Sequence, residues 1–86
     1  MDDLSAAVAA TPLPELNLRR LLCPLPVIRL EQYVAAHPEV TQLRVVATDP
    51  GVKHDIPVWC RMNGHRVIAL SEADGEIIQL IQIGSL

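Results

Sequence analysis

With 86 residues, the chain holds one small domain rather than two, and its core must be thin. Half of the residues are hydrophobic, yet there is no Phe and only one Trp and one Tyr, so that core is aliphatic. A formal net charge of -3 excludes the broadly basic surface of a nucleic-acid binder.

Residues 1–13 read as a mobile leader, acidic and Ala-rich, closing on Pro12. The start Met1-Asp2-Asp3 is acidic where a secretory signal needs basic residues. The apolar run from Ala6 to Ala10 is too short to cross a membrane. Two cysteines far apart form neither a disulfide framework nor a Cys-x-x-Cys pair, so the thiols read as reduced and the protein as cytoplasmic. The single domain is expected over residues 14–86.

Leu13, Glu15, Leu16, Asn17 and Leu18 suggest a short first strand. Pro24 and Pro26 then mark a helix start, because a proline in the first turn gives up no hydrogen bond. Val27, Leu30 and Val34 share one face of a helix that runs to about Ala36 and stops before Pro38. The stretch from Leu43 to Thr48 is a β-branched second strand. One helix between two strands predicts a parallel pair with a right-handed crossover.

Asp49-Pro50-Gly51 is a turn, and a second helix comes next over about Val52–Met62. Val52, Ile56, Trp59 and Cys60 are spaced for its buried face. Pro57 must then lie in the first turn or mark a kink. Asn63-Gly64 closes the helix. His65–Glu72 and Glu76–Ile83 are strands three and four, joined by a tight turn at Asp74-Gly75. The expected fold is an α+β two-layer sandwich of order β-α-β-α-β-β, a four-stranded mixed sheet with both helices on one face. Strand four carries Ile or Leu on both faces, so the uncovered face is apolar. That face could meet a partner or a second copy, leaving a monomer or a weak homo-oligomer.

Cys23 is the candidate catalytic residue. At or beside the N-cap of the first helix, free N–H groups and the positive dipole end favour a thiolate, which lowers the pKa and makes a nucleophile. The bland alternative, a small buried hydrophobe, stays open on local signal. Arg19 and Arg20 would add positive charge, and Pro24 and Pro26 would stiffen the segment. Cys60 reads as a buried structural thiol. His37, His54 and His65 sit at unrelated spacings, so no metal site is expected. Asp49 and Asp55 read as a strand-end turn residue and a helix-start residue.

Leu21-Leu22-Cys23-Pro24-Leu25-Pro26-Val27-Ile28, Asp49-Pro50, Asp55-Ile56-Pro57 and Gly64-His65 stand in order, and over residues 16 to about 83 the chain resembles the TusA/SirA family of small sulfur-transfer proteins. The resemblance implies the same two-layer fold. It implies that Cys23 carries sulfane sulfur as a persulfide, with no cofactor. The donor would be a cysteine desulfurase or another sulfurtransferase, and the acceptor a relay protein in tRNA thiolation or sulfur metabolism. No direct nucleic-acid or membrane contact is implied. The chain departs from the pattern at Asn17, where the family usually has Asp, and at Arg20, where it usually has Gly. Arg20 disfavours the positive φ that Gly allows. The paired lysines after the motif are Glu31 and Gln32 here, so a changed partner is expected. Two other classes compete with the sulfurtransferase: a non-catalytic binding or regulatory module, and a thiol-disulfide redox protein pairing Cys23 with Cys60.

Overall fold

The computed structural model describes residues 13–84. Of the expected leader only Leu13 falls within them; the rest lies outside the described residues. The elements run in the order β1 (Glu15–Leu18), α1 (Leu25–Ala36), β2 (Gln42–Ala47), α2 (Val52–Met62), β3 (Arg66–Ala73) and β4 (Glu76–Gln82). They form a four-stranded mixed sheet of spatial order β1-β2-β4-β3. β1 and β2 are parallel, as one intervening helix requires. β4 lies antiparallel to both β2 and β3.

Alternation along the strands assigns the faces. Leu18, Leu43, Val45, Ala47, Ile77 and Ile81 form one buried cluster with Leu30 of α1 and with Val52, Ile56, Trp59 and Cys60 of α2. Both helices therefore cover one face of the sheet. Gln79, fully buried on that face, donates its side-chain amide to the Val52 carbonyl at 3.0 Å and ties β4 to the start of α2. On the opposite face Ala69 and Leu80 cluster with Leu13, Ile68 and Ile78. A bulge at Ile68 shifts the β3–β4 register there.

The helix ends are set locally. At the end of α2, Gly64 takes φ 79° and the His65 N–H reaches the Cys60 carbonyl at 2.7 Å, the six-to-one bond of a Schellman cap. The Asp74-Gly75 hairpin holds both residues at positive φ, 54° and 77°, as a two-residue turn matched to strand twist requires. Pro57 lies inside α2, beyond the first turn, and the helix continues to Met62. Burial of Ile56, Trp59 and Cys60 on either side of it holds the helix together. Among the described residues, no helix is long and apolar enough to cross a membrane.

Candidate functional site

The two parallel strands end side by side, Leu18 beside Ala47. The loops that leave these two strand ends build the site, at the edge where open sheets with helical crossovers place their chemistry. The loop after β1 is stitched to the loop after β2 at two points. Arg20 donates its backbone N–H to Thr48 Oγ1 at 2.9 Å, and Cys23 donates its own to Asp49 Oδ2 at 2.7 Å. The other oxygen of Asp49 accepts the Gly51 N–H at 3.1 Å, in the turn that opens α2. These two bonds hold the Asp49 carboxyl below its ordinary range, the Gly51 amide contributing most. The starts of α1 and α2 thus meet at Cys23.

The thiol of Cys23 is exposed and donates to Asp55 Oδ2 at 2.8 Å. This contact reverses the expectation of a lowered pKa. The Asp55 carboxylate accepts the thiol proton and pushes the Cys23 pKa up, with desolvation and the charges of Asp55 and Asp49 acting in the same sense. The helix start offers little against it. Cys23 precedes the N-cap residue, Pro24. The Leu25 N–H is already bonded to the Leu22 carbonyl at 2.9 Å, and Pro26 has no N–H to give. A full negative charge in contact outweighs about half a positive charge at the helix end. Cys60, in contrast, lies in the core, fully buried, and burial pushes its pKa up to about 11.

The family described as Sulfurtransferase TusA matches residues 14–83, both motif blocks included. The chain belongs to the TusA family. It is 38% identical over 68 residues to the sulfur carrier protein TusA of Pseudomonas syringae pv. syringae, a match covering 79% of this chain and 81% of that protein. It is 36% identical over 67 residues to a putative sulfur carrier protein of Neisseria meningitidis serogroup A, covering 78% and 90%. The sulfur carrier protein TusA of Pseudomonas putida GB-1 is 36% identical over 72 residues, covering 84% and 90%.

Against that TusA pattern the departures have local explanations. Arg20 adopts φ 67°, the conformation that a Gly would take freely, and its amide bond to Thr48 offsets part of the strain. Asn17 uses its side-chain oxygen to accept the Arg19 N–H at 3.0 Å. The Arg19 guanidinium reaches Glu76 at 2.6 Å and Glu15 at 3.9 Å. It is therefore engaged across the sheet edge, with β4, rather than with the thiol. Pro24 and Pro26 stand at the start of α1, where Pro26 is buried and anchors the helix. His65 accepts the Gly84 N–H and packs its ring 5.0 Å from Trp59. Among the described residues, no group of three or more His, Cys, Asp or Glu is placed to hold a metal ion.

Sequence reasoning assigned Asp49 and Asp55 only local roles and missed their contact with Cys23. Their positions in the second TusA block were the available signal, since nothing in a turn or a helix start shows which neighbour it will meet. A groove of about 310 Å³ opens beside the thiol, between Pro24 and Val27 on one side and Asp55, Val58, Trp59 and Met62 on the other. Leu22, Leu25, Ile28 and Met62 add exposed apolar surface.

Proposed function

We propose that this chain is a sulfur carrier that holds sulfane sulfur as a persulfide on Cys23 and passes it to a partner protein. The observation that carries the reading is the division between the two cysteines: Cys23 is exposed at the strand-end edge and Cys60 is fully buried. A carrier needs one reachable sulfur and no second thiol able to discharge it. The burial of Cys60 also argues against the redox reading, which needs both sulfurs in contact.

On loading, Cys23 Sγ attacks the terminal sulfur of a donor persulfide. A new S–S bond forms, the donor's S–S bond breaks, and its electron pair leaves on the donor thiolate, which takes up the proton lost by Cys23. Discharge runs the same exchange toward an acceptor thiol, so loading and discharging in turn make the chain a sulfurtransferase. The relatives' names support the sulfur-carrier role. The resemblance supports a cysteine desulfurase or another sulfurtransferase as donor, and a relay protein of tRNA thiolation or sulfur metabolism as acceptor. The apolar surface beside the thiol suits a protein partner in either step.

Mass spectrometry after incubation with a sulfane-sulfur donor tests the reading. The expected result is a gain of one sulfur on the Cys23 peptide, absent in Cys23→Ala and retained in Cys60→Ala. A wild-type protein that stays unmodified by a persulfidated desulfurase would remove the carrier reading.

A further inference from the structure

We infer that Asp55 is a positioning residue that tells the empty carrier from the loaded one: it holds Cys23 as an oriented neutral thiol and lets go when sulfur is attached. The inference rests on the carrier reading and adds a residue to it. Its basis is the Sγ–Oδ2 separation of 2.8 Å, closer than sulfur and a carboxylate oxygen approach without a proton between them. The cysteine backbone cannot drift to relax this contact, because its N–H is held by Asp49 at 2.7 Å. Asp55 itself is fixed in the opening turns of α2, one residue before the fully buried Ile56.

Loading consumes the proton that makes this contact possible. Once Sγ is in an S–S bond it has no hydrogen to donate, and the same 2.8 Å becomes a repulsive meeting of lone pairs. The side chain must then turn away from Asp55. The terminal sulfur lies about 2.05 Å beyond Sγ and carries the persulfide charge, which two carboxylates, Asp49 and Asp55, also repel. The empty thiol is therefore drawn in toward α2, and the loaded sulfur is driven outward, where an acceptor can reach it. The charged groups around the thiol agree with this direction. The charges that act on the thiol are those of Asp55, in the first turn of α2, and Asp49, in the turn before it, while Arg19 is paired with Glu76. In the empty state the arrangement suppresses adventitious oxidation and alkylation, because only the thiolate reacts.

The test measures alkylation of Cys23 by iodoacetamide against pH, read on its own peptide by mass spectrometry, in wild type and Asp55→Asn. The variant keeps the shape of the side chain and removes its charge. The expected result is a profile shifted to lower pH, with the rate at pH 7 raised about three- to tenfold, since one pKa unit is a tenfold change in thiolate population. Asp55→Glu, which restores the charge, should return the profile toward wild type. With the carrier already persulfidated, the alkylation rate of the terminal sulfur should differ by less than about twofold between wild type and Asp55→Asn. An unchanged profile for the empty protein overturns the inference, and an equal shift in both forms overturns its load dependence. If wild type takes up no sulfur, the carrier reading fails instead, and the mass gain alone reports that.

Discussion

The reactivity of Cys23 is decided by which charges reach its sulfur, and the nearest are negative. Asp55 accepts its proton and Asp49 holds its backbone. Asp55 sits in the first turn of α2, where an acidic group also suits the helix dipole, and Asp49 in the turn that leads into it. Asp49 has a consequence for stability as well. Its folded-state pKa lies below the unfolded value near 3.8, so its contribution is fully present above that pH and is lost as the pH falls through the folded value. Asp49→Asn should therefore lower the thermal midpoint at pH 7 and flatten its decline between about pH 4 and pH 2. Melts monitored by circular dichroism across that range check it; an acid limb as steep as wild type would exclude a role for this carboxylate.

At the level of elements, the site depends on how α1 and α2 are pinned to the sheet. Leu30 is fully buried on α1, as is Pro26, and Leu30→Ala should destabilise the protein by about 2–5 kcal/mol, the range for deleting a packed Leu side chain. The hairpin between β3 and β4 provides a contrasting case. A Cβ on Gly75 would meet nothing within 4 Å, yet its φ is 77°. Gly75→Ala should cost about 1–2 kcal/mol through backbone conformation alone, with the β4 core contacts intact. Urea unfolding measures both, and a Gly75 variant as stable as wild type would mean that the turn relaxes to another type.

For the molecule as a whole, titrations in two pH ranges add to a stability that falls on the acid side. Burial lowers the pKa of His65 below its ordinary 6.5. A depressed histidine favours the folded state above the unfolded value and loses that contribution as the pH drops through the folded one. Glu76, whose pKa is lowered by its bond to Arg19, and Asp49 respond at lower pH. The thermal midpoint should decline in two stages, first below about pH 6.5 and then below about pH 4.5. His65→Gln should remove the first stage and leave the second. A single acid transition in wild type would contradict this assignment.

Much of the fold was legible in the amino-acid order because local rules and burial agree. The spacing of Val52, Ile56, Trp59 and Cys60 marks the buried face of α2, and Asp74-Gly75 marks a hairpin that forms. The prolines placed the start of α1 to within a residue. Pro57 was harder, since its cost is local and the packing that offsets it is not. The position of Cys23 beside a helix start was legible too, but its electrostatic environment was not. A lowered pKa is what the chain around residues 23–27 suggests when read by itself. The opposite outcome comes from Asp49 and Asp55, 26 and 32 residues further on. Helical and strand periods are properties of neighbours along the chain, whereas a pKa answers to whatever charges the folded sheet brings within a few ångströms.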